Sequence, residues 1–147
     1  MERVTTETDI RRPIQAVFDF VTTPANWPHW HPSSLGVSGA TDHALAVGER
    51  VTEEYLVAGQ RGRTEWLVTE REPPHRWVIA TVTEETHTEG RVTYTLTATE
   101  TGTHFIREFA YTAATAVPEP AATVIRRQVE AESAEALRRL TALLEAE

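Results

Sequence analysis

The sequence of 147 residues contains no cysteine and no lysine. The absence of cysteine excludes a disulfide scaffold, a thiolate metal site and a cysteine nucleophile. Because all 14 basic residues are arginine, a phosphate-loop lysine, a Schiff-base lysine and a lysine general base are excluded as well. No stretch approaches about 18 consecutive apolar residues, so the sequence predicts no stable insertion into a membrane.

Motifs for nucleophilic and dinucleotide chemistry are also missing. None of the four serines lies in a Gly-x-Ser-x-Gly turn, and no Gly-x-Gly-x-x-Gly follows a strand pattern. We therefore expect no bound cofactor, and an enzyme of this sequence would carry out proton transfer with its own side chains. The net charge of −8 and the scattered arginines argue against a nucleic-acid partner.

The length predicts one domain over residues 1–147. The first residues, Met1 to Thr6, lack the apolar stretch of a secretory signal, which leads us to expect a cytoplasmic protein. Exposed edge strands would allow either a monomer or a homodimer.

Most of the chain alternates between apolar and polar residues, the pattern of half-buried strands. Threonine, which favours strands, occurs 23 times and mostly before position 115. Short turns between the strands require antiparallel neighbours, because a parallel crossover needs a dozen or more residues. The predicted strands are Arg3–Ile10, Glu49–Val57, Gly62–Arg71, Arg76–Thr83, Thr86–Thr99 and His104–Thr112.

Apolar residues at helical spacing predict helices at both ends of this strand region. Pro13 suits a first helical turn, and apolar residues follow it through Val21. A second short helix is predicted from Pro24 to about Trp30–Pro32. A long helix from Ala121 to about Ala146 carries one apolar stripe of Ile125, Val129, Ala136, Leu137, Leu140 and Leu144.

This order of elements resembles the helix-grip fold of the START and birch-pollen-allergen superfamily (SRPBCC), and within it the bacterial polyketide cyclase/dehydrase and lipid-transfer branch. The resemblance rests on residues 10–21, 27–32, 47–51, 68–77 and the terminal helix. It implies an α+β domain with a curved antiparallel sheet of six or seven strands wrapped around a long C-terminal helix. Two short helices follow the first strand, and a ligand cavity lies between the sheet and the long helix.

Alternation along the predicted strands places two charged residues on the same face as apolar neighbours. Arg107 lies between Phe105 and Phe109, and Glu53 lies between Val51 and Tyr55. A buried unpaired charge is costly, so each needs a partner. Arg107 is predicted to bind a carboxylate or enolate oxygen and Glu53 to accept a proton. The alternatives are a structural Arg–Glu pair, or a bulge that turns one of the two to solvent.

The segment around Trp30 is a second candidate region. His29 and His31 flank Trp30, but no third ligand follows at useful spacing, so we predict no metal site. His31 is a candidate general acid or base because its ordinary pKa is near neutral. The predicted ligand-binding residues are aromatic, with core packing as the alternative role, and they are Trp27, Trp30, Tyr55, Trp66, Tyr94, Phe105, Phe109 and Tyr111.

Three functions follow from these residues and the resemblance. The first is binding of a hydrophobic small molecule that is aromatic, polyketide-like or lipid-like. The second is a cofactor-independent cyclase, aromatase or dehydratase in the same cavity, with Arg107 and a tyrosine stabilising an enolate while Glu53 or His31 moves protons. The third is an interaction module of the stress-response or co-chaperone kind, which predicts a filled interior.

Overall fold

The structure is a computed structural model that describes residues 2–82, 89–112 and 118–146. Within these ranges, seven strands form one antiparallel sheet, which confirms the predicted α+β helix-grip class. The strands are β1 (Glu2–Ile10), β2 (Ser34–Gly39), β3 (Arg50–Val57), β4 (Gln60–Glu72), β5 (Arg76–Thr81), β6 (Glu89–Ala98) and β7 (Thr103–Thr112). Their order across the sheet is β1-β7-β6-β5-β4-β3-β2.

The helices also follow the prediction closely. Helix α1 (Ile14–Val21) starts after Pro13 and buries its apolar stripe. The second predicted helix divides into a 3-10 turn at Pro24–Asn26 and a single turn of α-helix, α2 (Trp27–Trp30). The long C-terminal helix is α3 (Ala121–Glu145).

Strand β2 is the one element that the sequence pattern missed. Its six residues, Ser-Leu-Gly-Val-Ser-Gly, include two glycines and two serines, which are weak strand formers. It forms one edge of the described sheet and pairs with β3, with a register shift between Ser34 and Gly36. Residue 83 and residues 86–88, at the ends of two predicted strands, lie outside the described residues.

Helix α3 packs differently along its length. Its C-terminal half lies on β1, where the hydroxyls of Thr8 and Thr141 are 3.2 Å apart and the Arg11 N–H donates to Glu145 at 2.9 Å. Leu137, Leu140 and Leu144 are buried there. The N-terminal half faces the interior side of β3 to β7, where packing is incomplete.

Candidate functional site in the cavity between the sheet and the C-terminal helix

A cavity of about 430 Å³ lies between α3 and the concave face of the sheet. Its walls come from α2, from strands β3 to β7 and from the N-terminal half of α3. The walls are mostly apolar, and a few polar groups converge on them, which is the usual make-up of a small-molecule site. Its polar lining includes His31, Ser33, Glu53, Arg63, Thr64, Tyr94, Arg107, Glu132 and Ser133.

Arg107 occupies the wall formed by β7. Strand alternation places its side chain on the same face as Phe105 and Phe109, and only 7% of the residue is exposed. Its Nη1 donates a long hydrogen bond of 3.4 Å to the Ser133 hydroxyl, and its guanidinium carbon lies 5.6 Å from the Phe109 ring centroid. Its Nε has no hydrogen-bond partner in the part of the chain that the structure describes. The side chain therefore points into the interior, as its parity predicts.

The positive charge of Arg107 is not neutralised by direct contact. Among the described residues, no carboxylate oxygen lies within 4.0 Å of its guanidinium nitrogens. The alternative of a contact Arg–Glu pair is therefore not found, because Glu53 lines the same cavity without forming an ion pair. The guanidinium instead lies beside the Tyr94 hydroxyl, its cross-strand neighbour.

Glu53 reaches the cavity from β3. One of its carboxylate oxygens accepts a hydrogen bond of 3.0 Å from the Trp66 indole N–H. Burial raises the pKa of Glu53, and the Ser34 hydroxyl, the Trp66 indole and the Arg107 charge offset only part of that effect. A carboxyl group of this kind exchanges protons closer to neutral pH than an exposed glutamate does.

His31 follows α2 and borders the cavity. Its Nδ1 accepts a hydrogen bond of 3.1 Å from the Ser33 backbone N–H, so the neutral ring carries its proton on Nε2. Burial, with smaller contributions from the charges of Arg107 and Arg139, holds the pKa of His31 well below 6.5. This geometry favours an uncharged donor, and the acid–base role of His31 stays a prediction.

Tyr94 is the centre of an aromatic cluster beside Arg107. Its ring stacks on Trp77 at 5.3 Å between centroids and meets the edge of Phe105 at 5.1 Å. Burial raises the pKa of Tyr94 to about 12, so the phenol stays protonated and able to donate. Phe105 lies beneath this ring, fully buried, and it does not line the cavity. Its predicted contact with a ligand is therefore not supported by its position.

The other predicted aromatic residues all border the cavity. Trp27 donates its indole N–H to the Val21 carbonyl at 2.9 Å, whereas the indole N–H of Trp30 finds no acceptor within the described ranges. Tyr55 lies across Gly62 on β4, and a side chain at position 62 would clash with its phenol ring. Tyr111 stacks on Phe109 at 5.1 Å.

Sequence reasoning missed Glu132 and Ser133 on α3. Glu132 accepts a hydrogen bond of 2.9 Å from the Ala58 backbone N–H and one of 3.1 Å from the Ser33 hydroxyl. It thereby links α3 to the β3–β4 turn and to the segment after α2. Ser133 is buried on the apolar stripe between Val129 and Leu137, and a polar residue at that spacing was the available signal.

Strand β6 begins at the rim of the cavity. The alternation of its residues predicts that Glu89 and Arg91, together with His87, lie on a solvated surface. Both described residues are exposed, but Glu89 also lies at the rim of the cavity. His87 lies outside the described residues.

Neither a metal site nor a membrane-spanning helix is found in the part of the chain that the structure describes. No three histidine, aspartate or glutamate side chains there are grouped so that they would hold a metal ion. His29 is exposed while His31 borders the cavity, so the two rings diverge. No helix in residues 2–82, 89–112 and 118–146 is long and apolar enough to cross a membrane.

Solved structures with the same fold share little sequence with this chain. BH1534 of Bacillus halodurans has a TM-score of 0.71 at 19% identity, with 99% of this chain and 98% of that chain covered. MLL2253 of Mesorhizobium loti has a TM-score of 0.67 at 23% identity, covering 99% and 98%. The di-domain ARO/CYC BexL from the BE-7585A biosynthetic pathway has a TM-score of 0.69 at 22% identity, covering 97% of this chain and 46% of that chain.

No curated protein matches the chain significantly. A family match, by contrast, covers residues 1–145, nearly the full sequence. The family is described as polyketide cyclase / dehydrase and lipid transport. The matched range includes every strand and helix of the helix-grip architecture described above. The chain therefore belongs to this family.

Proposed function

We propose that the protein binds an apolar small molecule, of aromatic, polyketide-like or lipid-like character, in the cavity between the sheet and α3. The observation that carries this proposal is Arg107, a buried guanidinium on the cavity wall with no carboxylate in contact among the described residues. An oxygen atom of the ligand would accept hydrogen bonds from this group, while the rest of the ligand lies against the aromatic walls.

The energetics of burial support a ligand partner for Arg107. A buried charge without a partner costs several kcal/mol, by general experience roughly 3–5 kcal/mol where one partner of a buried pair is removed. The weak bond to Ser133 and the contact with the Phe109 ring supply only part of what a guanidinium can form. A ligand oxygen at this position would satisfy the donors that the protein leaves free.

The volume of the cavity also supports binding. At about 430 Å³, it lies within the range of roughly 300–1,000 Å³ that small-molecule sites occupy. An interaction module with a filled interior, the third alternative, is disfavoured by the same volume. Among the described residues, the large exposed apolar side chains are Leu35 on β2, Val47 in the loop before β3, and Val124 and Leu143 near opposite ends of α3.

A second candidate function is supported by Glu53. Its raised pKa, with Arg107 and a protonated Tyr94 lining the same cavity, is the arrangement that a cofactor-independent cyclase, aromatase or dehydratase needs. Arg107 and Tyr94 would stabilise an enolate oxygen, and Glu53 would move the proton. In that case Glu53→Gln would retain substrate binding and lose product formation, whereas a carrier would form no product at all.

We also infer that the protein acts in the cytoplasm, as a monomer or homodimer, and without a nucleic-acid partner. The net charge of −8 supports the last point, because a negatively charged protein repels a phosphate backbone.

Native mass spectrometry of freshly purified protein tests ligand binding. We expect a mass increment from a co-purified small molecule, which would identify the ligand class. Arg107→Met is expected to lose this increment, and Arg91→Met, on the exposed face of β6, is expected to keep it. Retention by Arg107→Met, together with lowered stability, would overturn the proposed role of Arg107.

A further inference from the structure

Resting on the proposed function, we infer that the ligand binds as an anion at Arg107 and that Glu53 takes up a proton when the ligand enters. The two residues approach the cavity from separate strands, β7 and β3, and both border the same space. Because no ion pair joins them, each charge is free to be compensated by something other than its neighbour.

Other charged and titratable groups also face the cavity. His31 is uncharged, and the Tyr94 phenol stays protonated. Glu132 is held by Ala58 and Ser33 at the edge of α3. Among the residues that the structure describes, the remaining such groups are Arg63 on β4 and Glu89 on β6, both exposed at the rim, with Tyr55 on β3 and Tyr111 on β7.

The charge balance gives the direction of proton transfer. With Glu53 ionised, Arg107 and Glu53 together carry no net charge. An anion that binds Arg107 then faces a second negative charge in the same buried space, which favours the protonated form of Glu53. A proton taken from the buffer forms the O–H bond of the Glu53 carboxyl, and the site returns to zero net charge with no other bond changed.

The surroundings of Glu53 make this protonation easy. Burial already raises its pKa in the free protein. The Trp66 indole needs only a carboxyl oxygen to accept its hydrogen bond, and that oxygen is present in the neutral form too. The affinity for an anion should therefore fall by up to about tenfold for each pH unit above the pKa of free Glu53.

A matched pair of fluorescent probes tests the inference. 8-Anilinonaphthalene-1-sulfonate is an apolar aromatic anion whose sulfonate stays ionised at all relevant pH values, so any proton taken up goes to the protein. N-phenyl-1-naphthylamine has the same aromatic frame without the sulfonate. Titration calorimetry in buffers of different ionisation enthalpy, between about pH 5 and pH 9, measures the protons taken up by each complex.

Uptake approaching one proton is expected for the sulfonate and none for the neutral probe. Glu53→Gln keeps an oxygen for Trp66 and should abolish the uptake, leaving affinity for the sulfonate independent of pH. Glu54→Gln, on the exposed face of the same strand, is the matched control and should behave as the unchanged protein does. Neutral-probe binding shows that each variant retains its cavity.

The outcomes separate this inference from the proposed function. Binding of the sulfonate without proton uptake, or uptake that persists in Glu53→Gln, overturns the coupling. If only the neutral probe binds, the inference that the ligand is an anion is overturned, whereas the proposed apolar binding site is supported. Failure of both probes to bind counts against the proposed function itself.

Discussion

The interior of the protein has a packed end and a hollow end. At the packed end, the indole N–H of Trp77 donates to the Leu45 carbonyl at 3.1 Å. On the cavity wall of the hollow end, Trp30 Nε1, His31 Nε2 and Arg107 Nε have no hydrogen-bond partner among the described residues. Trp77 is thus satisfied within the chain, whereas the cavity wall leaves several donors available to a ligand.

This difference separates stability from function. Phe18, Leu45 and Trp77 have no exposed surface and pack tightly, so their burial contributes to folding. Arg107 and Glu53 contribute little to folding, and their burial is costly unless another molecule compensates it. Truncation of a buried apolar side chain at the packed end should therefore lower stability, whereas removal of the buried charge of Arg107 should not lower it.

The largest effect is expected at the packed end. Trp77→Ala removes a fully buried indole and its hydrogen bond to Leu45, and it should lower the free energy of unfolding by about 3–5 kcal/mol. Urea unfolding followed by circular dichroism measures the change. Tyr111→Ala at the cavity rim, where the ring is half-buried, is the control and should cost roughly half as much or less. Equal losses of the free energy of unfolding in Trp77→Ala and Tyr111→Ala would contradict the division of the interior into a packed end and a hollow end.

Arg107→Met should not lower the free energy of unfolding, in contrast to Trp77→Ala. Replacing a buried charge that has no carboxylate in contact with an apolar side chain should leave the free energy of unfolding unchanged or raise it by about 1–4 kcal/mol. The same urea assay, without added ligand, measures it. Arg91→Met on the outer face should change stability by no more than about 0.5 kcal/mol. A clear loss of stability in Arg107→Met would make Arg107 a structural residue.

Glu53 should make stability depend on pH. Because the pKa of Glu53 is raised in the folded state, its carboxyl group binds a proton more tightly there than in the unfolded chain. Its contribution is complete below the ordinary value of 4.5 and is lost as the pH rises through the raised pKa. Glu53→Gln should remove this loss and be the more stable protein at high pH. Thermal unfolding across pH measures the difference, and a parallel pH dependence in Glu53→Gln would contradict it.

Two histidines should titrate on opposite sides of their ordinary pKa. His43, in the exposed loop that leads to Leu45, lies 2.8 Å from Glu49 and 2.9 Å from Asp42, and hydrogen bonds to Asp42 and Glu49 raise its pKa. Burial lowers the pKa of His31. Titration by NMR should therefore show His43 gaining its proton above pH 6.5 and His31 remaining neutral well below it. His43 titrating at the lower pH would reverse the assignment.

The sequence was sufficient for the order and type of nearly every element, because alternation and helical spacing follow directly from burial on one face. Alternation also placed Arg107 and Glu53 on the interior side. It could not tell whether Phe105 borders the cavity, since parity tells which face a residue occupies and not how far along the sheet the cavity extends. Strand β2 was missed because its pairing with β3, and not its composition, makes it a strand.

The contacts between the polar groups could not be predicted from the sequence. Whether Arg107 contacts Glu53 depends on the distance between β7 and β3 across a curved sheet, and a local sequence pattern does not determine that distance. The role of Glu132 is hidden for the same reason, because a glutamate on a helix is normally solvent-exposed. Its partners, Ala58 and Ser33, are 74 and 99 residues away in the chain.

One carboxylate thus ties three separate segments at the edge of the cavity. A movement of α3 away from the β3–β4 turn that breaks the Glu132 bond to Ala58 would also strain the bond to Ser33. Widening of this edge is therefore cooperative. A single substitution, Glu132→Ala, would remove both links from α3 at once, the one to the β3–β4 turn and the one to the segment after α2.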